Sequence, residues 1–264
     1  IALGGLFAFS VGYEPFSLII WMPIMPTRES DLSDPSTTQP RYAMLQTMAQ
    51  MQDAHNTLVH AQWRTQGYAY YRAIWVECAE MLDHFGWKWW KKQDGDLAQV
   101  KLELVDIWHF ALSEMLRQDK LQDAVADALF ELGAVSGETA VSQTTGPSLE
   151  DSEEQFRLAV EALAAACLRT RSFELQPFVD AMAALPMTYD ELFSLYIGKN
   201  VLNGFRQNNG YKSGEYRKLW QGREDNEHLI EVLEGLKVAP SELPDALYSA
   251  CLLYTSDAAD DTLC

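Results

Sequence analysis

The chain has 264 residues, of which 48% are hydrophobic, 11% aromatic and 22% charged, a profile that argues against a disordered tail or a fibre and for a domain with a sizeable core. Lys and Arg number 20 against 38 Asp and Glu, a formal charge of −18, which argues against a protein that tracks a nucleic-acid backbone, since such binding needs a cationic surface to displace counterions. An acidic chain that handles phosphates needs a local remedy instead, usually a divalent metal.

Residues 1–26 are apolar, carry Glu14 as their only charge and are broken by Gly12 and Pro15. A membrane span wants roughly 20 uninterrupted apolar residues, and a signal peptide wants a basic flank and a small-residue cleavage site. The segment is therefore read as upstream translation with the start at Met22 or Met25, the alternative being a cryptic anchor or targeting segment. At the other end, Cys251–Asp261 reads as the in-frame translation of a transposase sequencing adapter. Cys251–Cys264 is accordingly expected to be read-through, which leaves residues 27–250 as the domain. Of the four cysteines, Cys78, Cys167, Cys251 and Cys264, no set suits a disulfide framework or paired zinc hooks, so a reducing compartment is expected.

Between the ends, apolar residues recur every three or four positions without strand-like alternation, so the fold class is all-α, a helical bundle with no sheet. Pro40, Ala43, Leu45, Met48, Met51 and Leu58 predict a first helix ending before Gly67. Further helices are predicted over Tyr68–Phe85, Leu97–Arg117, Leu121–Leu132, Ser152–Arg171, Phe173–Leu185, Tyr189–Phe205 and Glu224–Leu236. Thr188-Tyr-Asp-Glu191 has capping-box spacing, and Gly133–Glu154, rich in Ser, Thr, Gly and Glu, predicts a loop.

Chemistry concentrates on the second and third helices. Glu77 and Glu80 are three residues apart and share a face, as do Glu103 and Asp106, and their neighbours are apolar: Ile74, Val76, Met81, Leu104, Val105, Ile107. Carboxylates in such surroundings are costly unless paired or ligated, and a cluster of them suits a hard, oxygen-loving ion such as Mg²⁺. Two other readings stay open at this point: solvated helix stripes, and a di-iron unit built on Asp106 and His109, which would want a second carboxylate-histidine unit. Trp87, Trp89 and Trp90, interleaved with lysines, are core filler or a platform for a base. Gly198–Lys212 is an ordinary helix end or the source of cations, Lys199, Arg206 and Lys212, for phosphate oxygens, with Asn203 and Tyr211 placed to fix a sugar.

These residues resemble the dimeric all-α dUTP diphosphatases, the kinetoplastid branch in particular. The resemblance is carried by Glu77-x-x-Glu80, Trp87-Lys-Trp-Trp-Lys91, Glu103-Leu-Val-Asp-Ile-Trp-His-Phe110, and Gly198-Lys-Asn-x-Leu-Asn-x-Phe-Arg-Gln207 followed by Gly210-Tyr-Lys212, in order between about Tyr42 and Leu247. His55, Cys78 and the loop near Gly133 do not match. The resemblance implies Mg²⁺-dependent hydrolysis of dUTP and dUDP to dUMP in a homodimer whose partner chain helps complete the pocket, limiting uracil in DNA and supplying thymidylate synthesis. It implies that Glu77, Glu80, Glu103 and Asp106 ligate the metal, with Glu80 and Glu77 catalytic and Glu80 the proton acceptor. Gln52 and Asn56 would read the uracil, Gln50 being the alternative register for the glutamine. Trp89 would flank the base, His109 would meet the sugar, and Lys199, Asn203, Arg206, Tyr211 and Lys212 would line the sugar-phosphate side. Neither nucleic acid nor a membrane is expected as a partner, and the cytoplasm or nucleus is the expected compartment. The rivals are a related pyrophosphatase preferring dCTP or another nucleotide, and a non-catalytic helical interaction module.

Overall fold

The structure, a computed structural model, describes residues 40–138, 149–185, 187–236 and 243–260. Among them the helical spacing of apolar side chains yields α1 (Pro40–Val59), α2 (Tyr70–Phe85), α3 (Leu97–Arg117), α4 (Asp123–Glu138), α5 (Leu149–Thr170), α6 (Leu175–Ala184), α7 (Tyr189–Asn208), α8 (Asp225–Gly235) and α9 (Leu243–Asp260). Among these residues no helix is long and apolar enough to cross a membrane.

The fold is organised around α3. Its first turn is capped by Asp96, whose side chain accepts from the Ala98 and Gln99 amides, satisfying donors that a helix start leaves open. Val100, Leu102, Leu104, Val105, Ile107, Trp108, Ala111 and Leu112 are all buried, so apolar residues cover nearly the whole circumference and the helix must be surrounded. Helices α1, α2 and α7 pack on it. Trp108 stacks on Phe178 with ring centroids 5.3 Å apart, and truncating a tryptophan so enclosed costs ~3–5 kcal/mol. A smaller core of Leu202, Phe205, Trp220, Leu229 and Leu247 lies between the C-terminal half of α7, α8 and α9.

The Thr188 hydroxyl accepts from the Glu191 amide at 3.1 Å, as the capping motif requires, while the Glu191 carboxylate turns to Lys101. Most predicted helix ends shift by one to three residues, and the larger departures from expectation are these. Helix α1 stops at Val59, and a 3₁₀ turn at Trp63–Thr65 precedes Gly67, which has φ +67°. Trp63 is buried there and donates to Asp53 Oδ1, so a tertiary anchor ends the helix earlier than the apolar pattern does. The expected loop at Gly133–Glu154 is narrower, because α4 runs to Glu138 and α5 begins at Leu149; residues 139–148 lie outside those described. The expectation of no sheet is corrected by a minimal antiparallel hairpin, β1 (Leu219–Trp220) with β2 (Arg223–Glu224). Its turn residues Gln221 and Gly222 have φ +50° and +82°, the left-handed pair that a two-residue hairpin needs, and strands of two residues are too short to produce alternation. Helix α9 passes from Ala250 into Cys251 without a break, and Cys251 is buried in the smaller core. Residues 1–39, which include the segment read as upstream translation, are outside the described set.

Candidate active site

Helices α2 and α3 bring their acidic faces together. Oxygen atoms of Glu77, Glu80 and Glu103 all lie within 4.8 Å of one another, with Glu103 buried, Glu77 half-buried and Glu80 exposed. Burial, followed by the Asp106 charge and a hydrogen bond shared with Glu103, pushes the Glu77 carboxyl up to about 9. Burial and then Asp106 also raise Glu103, against the pull of Lys199. At neutral pH Glu77 thus keeps a proton that relieves repulsion within the group. A divalent cation does the same work better, and an all-carboxylate donor set suits a hard one, so these residues fit the metal that the sequence implied. Asp106, the fourth expected ligand, stands 2.9 Å from Lys199 Nζ, and that lysine is 1% exposed. His84 Nε2 lies 3.5 Å from Glu103 Oε1.

Asp106 also borders a cavity of about 440 Å³ that Gln52, Asn56, His109, Asn203, Arg206 and Tyr211 line. Six residues named from the sequence, from three helices and the turn after α7, therefore meet at one opening beside the carboxylates. Gln52 rather than Gln50 faces it, since Gln50 is exposed and outside the lining. Gln52 Oε1 lies 2.6 Å from His109 Nδ1 and accepts from the Tyr196 hydroxyl at 2.9 Å. The Gln52 amide nitrogen donates to Asn56 Oδ1 and to Ser113 Oγ, both at 3.0 Å. With Gln52 Oε1 as the acceptor, His109 must carry its proton on Nδ1. Its Nε2 then presents a lone pair and has no hydrogen-bond partner among the described residues. Burial, with His55 and Lys199 adding to it, drives His109 well below the ordinary histidine range, so the ring is neutral at pH 7. Tyr196 stacks against it with centroids 4.3 Å apart.

The phosphate-side candidates divide. Lys199 bridges Asp106 and Asn226 Oδ1, each at 2.9 Å. Arg206 donates to both oxygens of Asp225 at 2.9 and 2.7 Å and also to Asn203 and Asn226. Asp225 is 0% exposed. Burial would raise its carboxyl, but Arg206 and the Tyr216 hydroxyl outweigh burial and hold it below the usual carboxylate range. Tyr211 is partly exposed at the rim, and Lys212, exposed, reaches the Val59 carbonyl at 3.4 Å. Trp89 is not with the others: it is 90% exposed and borders a different cavity.

Ser113, Tyr196, Asp225 and Asn226 are the residues that sequence reading missed. Ser113 falls one turn after His109 on the same face, and Asp225-Asn226 opens α8 next to the smaller core; both positions were available as signals, but their partners lie elsewhere in the chain.

Residues 44–211 match a family model described as dUTPase. A search of curated proteins returned no match.

Proposed function

Because the chain belongs to the dUTPase family and is accordingly a dUTP diphosphatase, we propose that it hydrolyses dUTP, and dUDP as well, to dUMP with Mg²⁺ held by Glu77, Glu80, Glu103 and Asp106. The observation that carries this reading is the convergence of three carboxylates within 4.8 Å beside a cavity lined by amides, a neutral histidine and an arginine.

The dUTPases generally use a divalent metal, and the chemistry that Mg²⁺ supplies when bound is neutralisation of polyphosphate charge and acidification of water. The remaining work falls to the chain. Glu80, the most exposed of the three clustered carboxylates, takes the proton of the attacking water, whereas Glu77 already holds a proton at neutral pH in the free enzyme and so cannot accept another. His109 Nε2, a buried acceptor without a partner, takes a hydroxyl donor from the sugar. Lys199, Asn203, Arg206, Tyr211 and Lys212 form the sugar-phosphate side, with Asn226 and Asp225 orienting the two buried cations. The protein acts as a homodimer in this reading, and the partner chain is the means by which Trp89, remote from Asn56 within one chain, reaches a base. Its role is to limit uracil in DNA and supply dUMP for thymidylate synthesis in the cytoplasm or nucleus.

The test is incubation of the full chain with Mg²⁺ and each deoxynucleoside triphosphate in turn, products being resolved by chromatography. Release of dUMP from dUTP, stopped by EDTA and restored by excess Mg²⁺, is the expected result. A folded protein that leaves dUTP intact sinks the proposal.

A further inference from the structure

The amide network at the cavity contains more than the residues that touch it. Gln52 has two N–H groups, occupied by Asn56 Oδ1 and Ser113 Oγ, while its Oε1 accepts from His109 Nδ1–H and faces the Tyr196 hydroxyl, whose single hydrogen lies between Gln52 Oε1 and the Met48 carbonyl, each at 2.9 Å. Both of its donors are therefore spent within the protein. Asn56 differs: one N–H goes to Ser113 Oγ at 2.9 Å and one acceptor site to Gln52, which leaves one donor and one acceptor on a half-buried residue lining the cavity.

The direction of both amides follows from a single proton. The Ser113 hydroxyl, 1% exposed, donates to the His109 carbonyl at 2.9 Å one turn back on α3. Having given its only hydrogen there, Ser113 Oγ can serve the two amides solely as an acceptor. A flipped Asn56 would set its carbonyl against that oxygen and its NH₂ against the NH₂ of Gln52, two repulsive contacts in a water-poor site. The order of donor and acceptor that Asn56 offers is therefore fixed.

Uracil presents an N3–H donor beside the O4 acceptor, and cytosine presents the N3 acceptor beside an N4 donor, so the two edges demand opposite amide orientations. On the dUTPase reading above, we infer that Ser113 is a positioning residue for uracil over cytosine, acting on the one amide, Asn56, that keeps both a donor and an acceptor for the pyrimidine edge. It acts by locking the Asn56 amide, while Gln52 serves as a strut within the lock.

The experiment compares kcat/KM for dUTP and for dCTP, with Mg²⁺, in the full-length wild type, Ser113→Ala, Asn56→Ala and the double variant, each checked for a cooperative melt. The wild type should prefer dUTP, and Ser113→Ala should cut the dUTP-to-dCTP ratio by about 10- to 100-fold, the worth of one bidentate pairing. In the Asn56→Ala background, Ser113→Ala should change the ratio no further. Ser113→Thr, which keeps the hydroxyl, should restore most of the ratio. If Ser113→Ala lowers both specificity constants equally, the serine is only structural and the inference is overturned. An unchanged ratio in Asn56→Ala, which perturbs a half-buried side chain, overturns it independently of any folding defect at Ser113. A folded wild type that hydrolyses neither nucleotide overturns the dUTPase reading itself, a result distinct from either.

Discussion

Two cavities flank α2 and differ in kind. The larger, about 870 Å³, is lined by Phe85, Trp87, Trp89, Leu97, Phe156 and Arg157, and its ion pairs lie at the surface, Lys88 with Asp83 and Arg157 with Glu153 and Glu154, apart from the part-buried pair of Lys101 with Glu191. The smaller, about 440 Å³, has Gln52, His109, Ser113 and Arg206 buried in its wall. Volume alone would select the first. Chemistry selects the second, because a buried polar wall is costly to maintain and is kept where its groups have partners or await one. Trp89 and its lysines draw attention as sequence, yet in one chain they furnish mostly apolar area and screened charge.

That contrast can be broken most sharply at the carboxylates. Glu80→Gln should lower turnover by about 10²–10⁴-fold with an unchanged melting temperature, whereas Lys91→Ala at the large cavity should leave turnover close to wild type; near-normal hydrolysis by Glu80→Gln removes that residue from the mechanism. Next in size, Asp225→Asn strands the buried Arg206 guanidinium and should cost ~3–5 kcal/mol in a denaturant melt. A loss near zero would mean that the pair is not closed off from water.

A third expectation concerns acid. His109 has a folded value depressed below the ordinary 6.5, so the unfolded chain binds the extra proton first. Its contribution to stability is complete above about pH 6.5 and is lost as pH falls from there toward the folded value, at up to ~1.4 kcal/mol per pH unit. His109→Gln should flatten that slope in melts taken at pH 7, 6 and 5, and a slope that persists unaltered assigns it to other groups. The smallest effect belongs to the large cavity: Lys88→Ala removes an exposed ion pair with Asp83 and should change stability by only about 0–1 kcal/mol.

The helices were legible where local signals agreed. Over Leu97–Arg117 the apolar period, the Asp96 cap and the terminal Arg117 all mark the same ends, and α3 has those bounds. The acidic cluster was legible for a related reason: two three-residue spacings on helices joined by a short connection leave few ways for the side chains to meet. Ser113 was not legible, because its meaning lies in Gln52 and Asn56, 61 and 57 residues away. Arg206 was read as a free cation, since nothing near it in sequence announces Asp225 across the hairpin. The hairpin itself rests on two backbone angles rather than on a pattern of side chains. Helix α9 was not legible, because Cys251–Asp260 reads as adapter-derived sequence and Leu243–Ala250 alone is too short to carry a helical period.

The bond between Tyr196 and Gln52 joins residues 144 apart in the chain, and Lys199 is held by Asn226 on a helix formed later still. No early fragment of the polypeptide can hold this cavity, because its wall is assembled from the first described helix and the seventh and steadied by the eighth. Contacts of such sequence separation close slowly, so during synthesis the candidate pocket is expected to be among the last features to appear. A chain cut short before α7 keeps the carboxylates of α2 and α3 but lacks the wall of the recess beside them, and one cut before α8 loses the Asn226 and Asp225 partners of Lys199 and Arg206.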